Sequence, residues 1–188
     1  MAFSQVENRT WVLTATLVTI VTVAAVAVRF GLSPQAPAFC ALAAAGVPLA
    51  FFDARTARLP NAVTLPAYPV SLALLGAAAP FVSGGVGHLG HAAIGMAASL
   101  AFFSVVAFVS PAGLGAGDVK LAGPIGAYLG WLGATAFAAG LVGAWLLAAV
   151  TGLGLMLARR AGRKTQIPFG PFLIAATLAV VLASGAAG

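Results

Sequence analysis

Long apolar stretches separated by short glycine-, proline- or charge-bearing breaks run the length of the chain. Uninterrupted apolar runs occupy residues 11–28, 36–52, 62–82, 91–109, 121–132, 134–157 and 171–187. A helix crossing the hydrocarbon core of a bilayer needs about 20 apolar residues, and somewhat fewer where the bilayer thins. The pattern therefore predicts about seven membrane-spanning helices. The breaks fall at 31–37, at Leu59-Pro60-Asn61, at the glycine-rich 83–90, at 111–117, at 130–133 and at 158–170, where such residues punctuate helices. The run 121–132 is the weak member, short and interrupted by Pro124. No internal repeat, low-complexity linker or soluble insert is visible. The expected fold class is all-α: one polytopic transmembrane helical bundle over 1–188, with 1–33 an extra N-terminal span and 36–187 the core.

Composition narrows the reading further. Of the 188 residues 62% are apolar and only 6% charged, against about a quarter charged in an ordinary soluble domain, so a water-soluble fold is excluded. The net charge of +6 does not indicate nucleic acid, because such binding needs a dense basic patch on a polar surface that this chain lacks. The basic residues read instead as topology signals, since Lys and Arg gather on the cytoplasmic side of short loops. With seven spans and a cytoplasmic N-terminus, Arg9, Arg55, Arg58, Lys120, Arg159, Arg160, Arg163 and Lys164 fall inside and Arg29 alone falls outside. Deleting the weak fifth span would put Lys120 and the 159–164 cluster on opposite faces. The first run reads as a retained span; Ala25-Val26-Ala27 resembles a signal cleavage site, but the run is long and Glu7 occupies the flank that should be basic. Abundant Ala and Gly suit close helix packing in lipid.

Glu7, Asp53 and Asp118 are the only side-chain carboxylates. Asp53 closes the second span and Asp118 precedes the fifth, so two crossings separate them and both arrive at the same end of the bundle. Ionisable groups at membrane depth are costly and usually have a task or a partner. Two carboxylates sharing one proton are the working unit of an aspartic protease. Asp118 ends Gly115-Ala116-Gly117-Asp118, whose glycines permit tight turns and close approach of an extended peptide. A GxGD tetrapeptide is weak evidence in a glycine-rich chain, and it gains weight here from its place at a span boundary opposite a second Asp. The competing reading is structural: Asp118 caps the fifth helix, and Asp53 pairs with Arg55 or Arg58. Cys40 stands alone and His88 and His91 are the only imidazoles, so neither a disulfide, a metal site nor a cofactor is expected.

Three segments carry a family resemblance: Phe52-Asp53-Ala54-Arg55 through Leu59-Pro60-Asn61, then Gly115-Ala116-Gly117-Asp118-Val119-Lys120-Leu121, then Ile167-Pro168-Phe169-Gly170-Pro171-Phe172-Leu173. Together they resemble the signatures of the type IV prepilin peptidases, membrane-embedded GxGD aspartic proteases that cut the leader from prepilins at the cytoplasmic face. The resemblance covers residues 47–182 and implies a six-helix peptidase core, Asp53 and Asp118 as the catalytic pair, and Gly115, Gly117 and Lys120 as the active-site loop. It implies prepilin or pseudopilin precursors as partners besides membrane lipid, and a multi-pass protein of the prokaryotic inner membrane with its active site at the cytoplasmic face. The larger bifunctional members also methylate the new N-terminus and carry an insert with cysteine pairs before the first aspartate; here that insert is absent, so methyltransferase activity is not expected. The small size resembles the stand-alone peptidases of tight-adherence (Flp) pilus systems or archaeal preflagellin peptidases. Presenilin-like proteins share GxGD, but their YD pair and PAL motif have no counterpart here.

Arg55, Pro60, Asn61, Pro168, Phe169, Gly170 and Pro171 are the candidate substrate-groove residues, though Arg55 and Arg58 also read as topology anchors. Asn61 is expected to N-cap the third helix and Pro171 to start the last one. Lys120 has two readings: it holds Asp118 ionised or contacts a substrate acid, or it meets lipid phosphate. Trp11, Trp131 and Trp145 read as interfacial anchors or bundle packing. Two rival functions remain: a small transporter or channel using both carboxylates, and a non-catalytic subunit of a pilus or secretion machine. The transporter reading predicts carboxylates near mid-bilayer on broken helices, whereas these sit at span ends.

Overall fold

The computed structural model describes residues 2–110, 114–158 and 168–184, with side chains from Arg9 onward. The Glu7 side chain, the basic cluster at 159–164 and Ile167 lie outside what is described. Every regular element among the described residues is helical: α1 (Ala2–Phe30), α2 (Ala36–Thr56), α3 (Asn61–Thr64), α4 (Ala67–Ala78) with a 3₁₀ turn at Ala79–Phe81, α5 (Gly85–Val109), α6 (Ala116–Leu132), α7 (Ala134–Leu157) and α8 (Gly170–Ser184). The segment Asn61–Phe81 acts as one apolar span bent at Leu65 and Pro66, where proline has no N–H with which to continue α3. Over its described residues each of the seven predicted runs is thus a helical segment, the last one to Ser184.

Among the described residues five segments are long and apolar enough to cross a membrane by themselves: Arg9–Phe30, Ala36–Thr56, Asn61–Phe81, Gly85–Val109 and Ala134–Leu157. The fifth run, the weak one, is the middle of the molecule. α6 packs against α3, α4, α5, α7 and α8, and every residue from 121 to 131 is buried. A helix that meets protein on all sides needs no lipid-facing surface, so it tolerates glycines, Pro124 and a short apolar stretch. α1 is the opposite case, lipid-exposed along most of its length and seated on α2. Arg29, expected alone on its side, donates from Nε to the Leu182 carbonyl at 2.9 Å, a favourable place for a cation near a helix C-terminus.

Two predicted breaks are shorter than expected. The glycine-rich 83–90 is helical from Gly85 onward, and only Ser83 and Gly84 interrupt, with Gly84 at φ 65°. Likewise the break at 130–133 shrinks to Gly133 at φ 107°. Backbone amides away from water must be paired within their own segment, which extends helices through glycines that would end them in a soluble protein. Packing then makes those glycines useful. A Cβ on Gly126 would strike the Gly95 carbonyl and Ser99, one on Gly95 would strike the Gly126 carbonyl, and one on Gly130 would strike His91. Gly126→Leu is therefore expected to separate α5 from α6 and destabilise the bundle by at least about 1–3 kcal/mol, read as a lower unfolding temperature in detergent.

At the end of the bundle remote from the carboxylates, buried Trp131 donates from Nε1 to Gln35 Oε1 at 2.9 Å, and its carbonyl lies 2.7 Å from His88 Nδ1. Trp131 is thus packed and bonded inside the protein, not an interfacial anchor.

Candidate active site

Asp53 stands in the last turn of α2 and is buried. That helix stops just beyond it because Ala57 adopts a left-handed φ of 48° and returns its N–H to the Asp53 carbonyl at 2.8 Å. Asp118 stands in the first turn of α6, also buried. Its Oδ2 accepts the Gly115 N–H at 3.2 Å. This is half of a capping box, since glycine has no side-chain oxygen to return the bond. The capping reading therefore accounts for one Asp118 oxygen only. Asp118 Oδ1 and Asp53 Oδ2 are both buried without a well-formed hydrogen bond among the described residues.

Those two unpaired oxygens converge on one point at the start of α8. A Cβ placed on Gly170 would lie 2.6 Å from Asp53 Oδ2 and 3.4 Å from Asp118 Oδ1, so the oxygens are closer together than the sum of those distances. The Gly170 amide faces both carboxylates and the Phe169 amide faces Asp118; their geometry falls short of good hydrogen bonds, but their charge is felt. The first amides of a helix have no intrahelical partner and sit at the positive end of its dipole. Two helix starts, α6 and α8, thus offset part of the cost of burying two carboxylates together. Asp53 makes no ion pair with Arg55 or Arg58 among the described residues. Arg55 lies over the Trp11 ring instead, 5.7 Å from its centroid.

An aromatic cluster fixes the start of α8. Phe169 is buried, with ring centroids 4.9 Å from Trp145 and 5.6 Å from Phe103, and its carbonyl accepts the amides of Phe172 and Leu173. Aromatic pairs contribute about 0.5–1.5 kcal/mol each beyond burial. Trp145→Ala is accordingly expected to speed hydrogen exchange at the Phe172 and Leu173 amides, which the Phe169 carbonyl holds, by about tenfold, with Trp145→Phe close to wild type.

A cavity of about 310 Å³ opens onto the pair, bounded by Ala57, Arg58 and Leu59 on one side and by residues 115–118 on the other. Asn61 and Lys120 also line it, joined by a 2.9 Å hydrogen bond from Lys120 Nζ to Asn61 Oδ1. Asn61 does not N-cap its helix as expected. Pro60 takes the N-cap position at φ −69°, ψ 129°, and the Asn61 side chain, one residue further on, is free to hold Lys120. Gly117 packs so closely that a Cβ there would come within 2.9 Å of the Leu59 Cβ.

Of the residues named from sequence, Asp53, Asn61, Gly115, Gly117, Asp118 and Lys120 share this cavity, while Phe169 and Gly170 close in on the carboxylates. Arg55, Pro60, Pro168 and Pro171 do not line it. Pro171 is the second residue of α8, where its missing N–H costs nothing. Sequence reasoning missed Ala57, Arg58 and Leu59 as wall residues and the Phe103–Trp145 support. Arg58 and Leu59 lie within the first quoted motif and were within reach, whereas Phe103 and Trp145 carry no local signal. Among the described residues no three His, Cys, Asp or Glu side chains gather as a metal-binding group.

Fold and site together define a polytopic helical membrane protein in which two buried carboxylates meet at one end of the bundle. The profile of the type IV leader peptidase family matches residues 38–185, and the chain belongs to that family. It is 38% identical over 134 residues to a prepilin leader peptidase/N-methyltransferase of Aeromonas hydrophila, covering 68% of this chain and 42% of that protein. A protein of the same name from Aeromonas salmonicida strain A449 is 38% identical over 132 residues, with the same coverage. The chain therefore spans less than half the length of the curated relatives it matches. No solved structure gives a significant match.

Proposed function

We propose that the chain is a membrane-embedded aspartic endopeptidase that removes the leader from prepilin or pseudopilin precursors, with Asp53 and Asp118 as the catalytic pair. The observation that carries this is the convergence of two unpaired, buried carboxylate oxygens on the open edge of a cavity, at a position only a glycine leaves free. Carboxylates this close hold one proton between them at moderate cost, because full ionisation sets like charges side by side. The ionised member takes a proton from a water molecule as its oxygen attacks the scissile carbonyl. The protonated member gives its proton to the carbonyl oxygen, forming a tetrahedral diol. When the C–N bond breaks, a proton passes back through the pair to the leaving amine. Water and two carboxylates suffice, with no metal or organic cofactor in any step.

The site faces the cytoplasm in this reading. Arg9, Arg55, Arg58 and Lys120 belong to the end of the bundle that bears the carboxylates and Arg29 to the other, the asymmetry expected of a protein of the prokaryotic inner membrane. The finer part of the proposal is peptidase activity without N-methylation.

The test is to reconstitute the chain in lipid vesicles with a prepilin precursor and measure the mass of the product. Cleavage at the leader junction with an unmethylated new N-terminus is expected, and an uncut precursor would refute the reading. Cleavage should also follow a bell-shaped pH profile. At low pH both carboxyls are protonated and no base remains; at high pH both are ionised and no acid remains.

A further inference from the structure

Asp53 and Asp118 stand on two helices, α2 and α6, whose backbones have few close approaches. α8 packs against both on one side, and on the other a cavity of about 270 Å³ separates them. They are joined directly at the end remote from the carboxylates. There Trp131, in the last turn of α6, donates from Nε1 to Oε1 of Gln35, the residue that opens α2, at 2.9 Å. Both residues are buried. The Gln35 side chain leaves its own helix uncapped and serves α6 instead. One turn further in, the Phe39 and Tyr128 rings lie with centroids 5.7 Å apart. His88 Nδ1, 2.7 Å from the Trp131 carbonyl, ties the same residue to α5.

We infer that Gln35 and Trp131 are positioning residues for the peptidase: their hydrogen bond sets the register of α2 against α6 and, through the two helices, the separation of Asp53 and Asp118. The inference rests on the peptidase reading above. Packed rings tolerate sliding along the helix axes, whereas a hydrogen bond weakens steeply as it bends, so the bond and not the ring contact fixes the axial offset. From Gln35 to Asp53 α2 runs about 27 Å, and from Trp131 to Asp118 α6 runs about 20 Å, at 1.5 Å per residue. Pro48 and Pro124 each remove a backbone hydrogen bond from these arms, yet both helices continue through them. An axial shift of about 1 Å at the outer end therefore reaches the carboxylates nearly whole, and a tilt of about 2° over the longer arm moves Asp53 by about as much. Misplacement on that scale costs about a hundredfold in rate.

The experiment separates register from stability. Trp131→Phe leaves the Gln35 carbonyl unpaired in the interior; adding Gln35→Met removes that orphan, because exchanging both partners for apolar groups leaves no buried polar group without a bond. The double variant is expected to melt above Trp131→Phe, yet to cleave precursor with kcat at least about tenfold below the parent and KM little changed. Its bell-shaped pH profile should also narrow, since carboxylates further apart repel less. A parting of about 1 Å draws the two limbs together by about half a pH unit. A double variant that regains the parent kcat and pH limbs along with its stability overturns the inference and leaves the bond a packing contact. Should the double variant fail to insert, Trp131→Phe alone decides the matter: lowered kcat with a narrowed profile supports the inference, and parent kcat with parent limbs overturns it. Failure of the peptidase reading itself looks different, since there Asp53→Asn and Asp118→Asn would leave cleavage intact.

Discussion

Asn in place of Asp53 or of Asp118 is expected to lower precursor cleavage at least about a thousandfold, each alone, in protein that inserts and folds normally. Asn preserves the shape of Asp and its ability to accept a hydrogen bond, so the Gly115 N–H that Asp118 receives at 3.2 Å keeps its partner. What Asn lacks is a transferable proton and a basic oxygen. General acid and base assistance each contribute about 10²–10⁴ to rate, and the proposed mechanism draws both from one pair. The two variants should therefore be similarly inactive, and the double variant little worse than either, because groups that act as a unit do not add. Stability supplies the control. Asn removes the need for one member of a buried carboxylate pair to stay protonated and leaves the fold intact or firmer, so an inactive variant that melts at or above the parent temperature points to chemistry. Cleavage by either variant within tenfold of the parent would remove the carboxylate mechanism.

Gly170→Ala should be nearly as damaging through geometry alone. The added methyl would sit 2.6 Å from Asp53 Oδ2 and 3.4 Å from Asp118 Oδ1, in the space where the two oxygens converge. The start of α8 cannot simply retreat, because Phe169 is pinned by Phe103 and Trp145. The carboxylates must then part, or the Gly170 amide must turn away from them. Misplacing reacting groups by about 1 Å costs about a hundredfold in rate, and a fall of that order in kcat is expected with helix content unchanged. The comparison with Pro171→Ala is informative, since that side chain does not line the cavity and its loss should cost activity far less.

How much of this was legible beforehand differs from residue to residue. The meeting of Asp53 and Asp118 at one end follows from counting crossings, because each apolar run long enough to span a bilayer reverses direction. The pairing of Gly115 with Asp118 is local in sequence and readable for the same reason that N-caps are. The role of Gly170 was visible only as part of a motif; that it leaves room for two carboxylates is a fact about three helices. Arg55 and Arg58 look interchangeable in the sequence, three residues apart on the same side. In the fold the first covers Trp11 on α1 and the second lines the cavity, a difference set by α2 ending between them at Ala57.

The weakest run in the hydropathy pattern became the centre of the bundle. Hydropathy measures fitness for lipid, and α6 meets almost none, so the pattern undervalued the helix on which the site depends. By itself the sequence determined that the chain is a membrane bundle of about seven helices with its acids gathered at one end, since those properties rest on run lengths and crossing parity. Tertiary structure alone decided that two carboxylate oxygens face each other across an α8 amide, that Asn61 holds Lys120, and that Trp131 bonds Gln35 at the far end of the bundle. Each is a contact between segments far apart in the chain, settled by how the helices pack and not by any residue's neighbours in sequence.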